Sequence, residues 1–168
     1  MPVVRLERSL RVPADLAAQV LGELLHAIAE QQGPWRGFAL HVSLGDLHLP
    51  DVGYVAVPID LKVAKHAEDA NAFDVRFNSV SHSAAFPAFT GTIGVSPGEL
   101  GESSLYLQGS YELPLQFIGR LIDAALMPHV AARSLENFID EVAAACQARV
   151  DQREAEFARY QFYSPRLR

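Results

Sequence analysis

The sequence predicts an α+β protein in which one curved antiparallel sheet wraps around a long C-terminal helix. Three observations lead there. Several successive stretches alternate apolar and polar residues, the period of half-buried strands. After Pro114 the apolar spacing changes to three and four, one face of a helix. Strands grouped apart from helices indicate an antiparallel sheet rather than alternating parallel units. Burying the sheet's apolar face against the helix stripe is the simplest way to hide both.

The elements follow in order. Val4, Leu6, Leu10 and Val12 share one side of a first strand, against Arg5, Glu7, Ser9 and Arg11 on the other. Pro13 ends it and suits a first helical position. From Ala14 to Gln32, Leu16, Val20, Leu24 and Ile28 recur at helical spacing, with Asp15 complementing the dipole and Gly33-Pro34 as the stop. Five strands follow. Their apolar rows are Phe38 to Leu44, Val55 to Val63, Phe73 to Phe77, Phe89 to Val95, and Leu105 to Leu113. Pro58 cannot donate to a ladder, so an edge or a bulge is expected there. Glu68 to Asn71 and Ser96-Pro97-Gly98 read as turns. Ile118, Leu121, Ile122, Ala125 and Leu126 begin the last helix, Pro128 kinks or interrupts it, and Leu135, Phe138, Ile139, Val142, Cys146, Val150 and Phe157 continue it. From His129 to Tyr160 it would run roughly 48 Å, long enough to project past the sheet.

Composition narrows the functional classes. The 168 residues fit one domain spanning 1–168. Hydrophobic residues make up 49% and charged residues 20%, the balance of an ordinary globular protein. Net charge is −6, and Lys62 and Lys65 are the only lysines, which argues against nucleic acid and against a polybasic membrane contact. No apolar run is long enough to span a bilayer, and the N-terminus lacks a signal-peptide core. Cys146 stands alone, so no internal disulfide forms and a cytoplasmic location is expected.

The order of elements resembles the START-like superfamily, or SRPBCC, whose helix-grip members include polyketide cyclases, lipid-transfer domains and birch-pollen-type allergens. Locally, Phe86-Pro87-Ala88-Phe89-Thr90-Gly91 is similar to that group's hairpin before the penultimate strand. The stretch Leu105 to Tyr111, followed by Pro114, Gly119-Arg120 and Leu121-Ile122-Asp123, is similar to its last strand feeding the long helix. The first helix departs from the pattern: it is long and unbroken where relatives often have two. The resemblance implies a hollow between sheet and helix for a hydrophobic small molecule or lipid. Some relatives catalyse aldol cyclisation and others only carry ligands, and fold alone does not choose between them.

A hollow of that kind would be lined by Val57, Ile59, Phe73, Phe77, Phe89, Ile93, Leu105, Leu107, Ile122 and Leu126. Three polar residues could face it. Arg8 sits between Leu6 and Leu10 on the inward side; it either meets a ligand anion, turns outward at a bulge, or forms a salt bridge. Tyr111 ends the last inward row and either hydrogen-bonds a ligand or fills the core. His129 would point to the same side, as an acid, a base or a partner for backbone loosened by Pro128. Gly91 and Gly109 make room at inward positions, for the helix or for a ligand.

No cofactor and no metal is expected. Asp46, His48 and Asp51 read as a turn, and no established zinc spacing occurs. Gly94-Val95-Ser96-Pro97-Gly98 has the form G-x-S-x-G, but a nucleophile elbow needs a helix next and a strand follows. The aromatic tail Phe157, Tyr160, Phe162 and Tyr163 either folds back or joins a second copy in a homodimer. Three readings therefore stand: binding or transport of a hydrophobic molecule, a polyketide-cyclase-like enzyme, and a ligand-free oligomerisation protein.

Overall fold

Alternating burial marks the strand residues 3–10, 59–64, 73–77 and 103–107. In the computed structural model, which describes residues 3–30, 39–43, 54–79, 88–112 and 127–163, six strands and two helices form in the order β1 (Val3–Leu10), α1 (Ala14–Glu30), β2 (Ala39–Ser43), β3 (Tyr54–Lys65), β4 (Ala72–Ser79), β5 (Ala88–Pro97), β6 (Ser103–Glu112) and α2 (Met127–Tyr163). The sheet order is β1-β6-β5-β4-β3-β2, antiparallel throughout. The sheet curves around α2, which lies against both edge strands, β1 and β2. No helix among the described residues is long and apolar enough to cross a membrane.

The inner face is built from cross-strand rows. Leu61, Phe77, Phe89 and Tyr111 stand side by side across four strands, and all are buried. Farther along, Phe73, Ile93, Leu107 and Leu6 form a second row. Between the two lies a row of Val75, Gly91, Gly109 and Val4. The two glycines face each other, and a Cβ on Gly91 would stand 2.2 Å from the Gln108 carbonyl and 2.8 Å from Cζ of Phe89. One on Gly109 would meet the Thr90 carbonyl at 2.4 Å and the same Cζ at 2.8 Å. The room left by the glycines is therefore filled by the Phe89 ring, not by the helix. This is an aromatic side chain covering strand glycines.

Against these rows α2 lays Ala131, Leu135, Phe138, Ile139, Val142, Cys146 and Val150, all buried along one helical stripe. Phe138 stands 5.2 Å from Phe77, which stacks on Phe89 at 5.0 Å. The stripe ends at Val150. Residues 154–159 are all exposed, Phe157 at 66%, so this aromatic does not fold back onto the sheet. At 37 residues α2 is about 55 Å long. The other helix, α1, buries Ala17, Val20, Leu21, Leu24, Leu25 and Ile28 against β3, β5, β6 and α2. Gly22 lets it approach Phe73, whose Cζ lies 2.8 Å from where a Cβ would be.

Several local expectations change. Pro13 sits just before α1, where its carbonyl accepts the Ala17 N–H at 2.9 Å. Pro58 does not lie on an edge strand. β3 pairs with β2 through Tyr54–Pro58 and with β4 from Ile59 onward, so the proline stands at the hand-over between two ladders. Pro128 falls in the first turn of α2 rather than at a kink, where its missing N–H has no intrahelical partner to lose. Pro97 belongs to β5, opposite Ser103, and the turn proper is Glu99 to Glu102, closed by a 2.9 Å Glu102 N–H to Glu99 carbonyl bond. Leu100 and Gly101 hold φ of 52° and 84° there, the signs of a type I′ turn. A hairpin thus follows Ser96, whose hydroxyl donates to the Ser104 carbonyl, and no nucleophile elbow forms.

Two stability measurements check this account. Leu100→Asn creates the Asn-Gly pair that positive φ favours and should raise unfolding free energy by about 1 kcal/mol in urea titrations. Gly109→Ala should lower it by about 2 kcal/mol or more, because both strand backbone and the Phe89 ring must shift.

Candidate functional site

The end of the sheet where β4 stops and β5 begins is also where β6 ends. Its inner face carries the Leu61–Phe77–Phe89–Tyr111 row, with Ile59 one step farther out on β3. Of the residues predicted to line a hollow, Ile59, Phe73, Phe77, Phe89, Ile93, Leu105, Leu107 and Tyr111 are all buried in one apolar cluster. Val57 lies in β3 opposite Leu40, and His129 in the first turn of α2. Ile122 and Leu126 lie outside the described residues, as do Asp46, His48 and Asp51.

The three polar candidates separate. Tyr111 is 6% exposed, and its hydroxyl has no hydrogen-bond partner among the described residues. Arg8 is opposite Leu105, six residues back along β6 from Tyr111, or roughly 20 Å at strand rise. It does not enter the interior: its side chain is one-third exposed and pairs with Asp140 of α2, while Nη1 donates to the Glu7 carbonyl at 2.9 Å. The hydrogen bond from Arg8 to Asp140, more than burial, sets the guanidinium's balance and raises its pKa. So Arg8 is a clasp between β1 and α2 at the rim. An inward arginine on β1 called for an acid, and Asp140 on the margin of the helical stripe was the signal in the sequence.

Sequence reasoning missed a second clasp. Arg153 of α2 pairs with Glu23 of α1, and that hydrogen bond holds the Glu23 carboxyl below its ordinary pKa. Nor did it single out the outer-face anchor, in which Tyr106 covers Gly94 and donates to Asp69 at 3.3 Å across the β3–β4 turn. Burial first, and then the Asp69 charge, push the Tyr106 phenol up.

Two depressions are lined by described residues. One of about 370 Å³ sits on the outer sheet face between Lys62, Asp74, Arg76, Thr90 and Thr92. The other, about 510 Å³, lies between the end of β1 and α2, with Arg11, Gln147, Asp151 and Glu154 on its walls. Among the described residues no group of three metal-ligating side chains gathers. His66 and Asp74 form an exposed pair at 2.7 Å on the outer face. Inside, the buried polar side chains among the described residues are Ser103 and Ser134.

Cys146 is 1% exposed, and burial pushes its thiol up to about 12. A thiol reagent at pH 8 should leave the native protein unmodified and react stoichiometrically once denaturant unfolds it. Fast labelling of the folded chain would contradict this burial.

No family model matches the chain, and no curated protein matches it in sequence. Solved structures do match. A conserved protein from Geobacillus kaustophilus superposes with a TM-score of 0.54 at 12% identity, covering 90% of this chain and 96% of its own. Norcoclaurine synthase from Thalictrum flavum gives 0.51 at 14% identity, covering 89% and 86%. An uncharacterised protein from Bacillus thuringiensis gives 0.50 at 10%, covering 86% and 98%. At these identities the likeness is one of fold. With a six-stranded antiparallel sheet curved around a 37-residue C-terminal helix, the chain has the START-like helix-grip fold.

Proposed function

We propose that the chain, acting as one helix-grip domain in the cytoplasm, binds and carries a hydrophobic small molecule or lipid between the inner sheet face and α2. Ile59, Phe77 and Phe89 form the apolar wall, Val57, Ile122, Leu126 and His129 complete it, and Tyr111 is the polar handle. The observation that carries this reading is the buried apolar row of Leu61, Phe77, Phe89 and Tyr111 on the inner face, with Phe138 of α2 set against Phe77. A ligand acceptor at the Tyr111 hydroxyl would add one hydrogen bond, worth about 1 kcal/mol. The scarcity of buried polar side chains supports a ligand that is uncharged where it meets the sheet. Affinity would come mainly from apolar burial, about 25 cal/mol per Å² before ordering costs.

A cyclase would need convergent polar groups. Arg8 and Tyr111 stand at opposite ends of β6 and Arg8 is held by Asp140, so the binding reading is preferred. Native mass spectrometry of the purified protein tests it, together with titration of two fluorescent probes, one a bare aromatic hydrocarbon and one bearing a ketone. A retained apolar molecule is expected, as is binding of both probes. Tyr111→Phe should weaken the ketone probe about fivefold, the worth of one hydrogen bond, and leave the hydrocarbon unchanged. A clean apo mass with neither probe retained would remove the proposal.

A further inference from the structure

β1 ends the sheet, so every second residue of it turns its backbone groups away from the ladder. Gly98 N–H donates to the Glu102 carbonyl, so the hydrogen-bonded pairs of the β5–β6 ladder include Ser96–Ser104 and Gly94–Tyr106. Even-numbered residues of β6 therefore bond to β5, and odd-numbered ones to β1. Leu107 faces Leu6 and Leu105 faces Arg8, so the even-numbered residues of β1 are used by β6. Val3, Arg5, Glu7 and Ser9 turn their N–H and C=O groups to the open edge. An independent contact agrees: the Glu7 carbonyl accepts from the Arg8 side chain instead of from a strand. All four residues are exposed, Val3 at 83%.

We propose that this edge pairs with the same edge of a second copy, antiparallel about a two-fold axis at Leu6, joining two sheets into one. Charge selects that register. With Leu6 opposite Leu6, Arg5 of each copy faces Glu7 of the other, and all four outward residues enter hydrogen-bonded pairs, Val3 with Ser9 at the ends. Sliding two residues one way sets Arg5 against Arg5, and sliding the other way sets Glu7 against Glu7. Like charges directly opposite are destabilising, whereas opposite charges stabilise a cross-strand pair. In the single chain Arg5 and Glu7 already pair at 2.8 Å along the strand, on the face where they would meet across the two-fold. An open edge is a template for further pairing, and here the template complements itself. The Arg8 guanidinium must leave the Glu7 carbonyl and keeps its Asp140 partner. This surface is separate from the proposed ligand site and does not depend on it.

Sedimentation velocity on the full chain over a micromolar concentration series tests the idea, with circular dichroism as the check on folding. A monomer–dimer equilibrium is expected. Arg5→Glu and Glu7→Arg, each alone, should give monomer throughout, and the double charge swap should restore the dimer. Phe157→Ser should leave it intact, since the exposed end of α2 lies outside this interface. Hydrogen exchange should slow at the amides of Arg5 and Glu7 as concentration rises. A chain that stays monomeric, a dimer that survives either single charge change, or one lost only with Phe157→Ser would each overturn the proposal.

Discussion

The Phe77–Phe89–Phe138 contact is the interaction from which most of this fold can be reasoned outward. Its three rings come from β4, β5 and α2, so it is where the sheet and the long helix first touch as bulky groups. Each ring is fully or almost fully buried. For Phe89 to lie flat enough to stack on Phe77, the next inward positions on its own strand and on β6 must carry no side chain, and both are glycine. Two residues that weaken strands locally are thus set against a large apolar burial at the centre of the sheet, where an aromatic ring recovers the lost packing. The remaining helical stripe, from Leu135 to Val150, then falls onto the inner face with the helix direction already set.

Polar contacts do a different job. Arg8–Asp140 joins β1 to α2, and Arg153–Glu23 joins α1 to α2, both at partly exposed rims. Pairs of this exposure add about 1 kcal/mol or less each, far below what the apolar rows contribute. Their effect is positional: they fix how far along its axis α2 sits relative to the sheet edge and to α1. The hydrogen bond between Tyr106 and Asp69 does the same for the β3–β4 turn on the outer face. Stability comes from the rows, and alignment comes from the clasps.

Much of the architecture was legible because two simple periods govern it. A step of two marks β1 and β3 to β6, and a step of three or four marks α1 and the buried part of α2. The candidate site was legible only in part. That Tyr111 would be buried at the end of an apolar row follows from the alternation, but that its hydroxyl would find no partner among the described residues does not. Arg8 shows the converse. Its inward parity was readable, yet whether it met a ligand, water or an acid depended on a helix residue 132 positions away. Gly91 and Gly109 were readable as empty positions, and what fills them was not, because the Phe89 ring leans along its strand rather than straight out of the sheet.

The sequence by itself determined the alternation of faces, the number and order of the main elements and the apolar character of the interior. These follow from local backbone geometry acting on neighbouring residues. Tertiary structure alone decided that β3 passes from one ladder to the other at Pro58, that Arg8 is a clasp, and that β1 is left as an open edge with its odd-numbered residues facing out. Each of those facts depends on which distant segment lies alongside, and pairing between distant segments is settled by the shared burial of many residues at once, which no short stretch of chain contains.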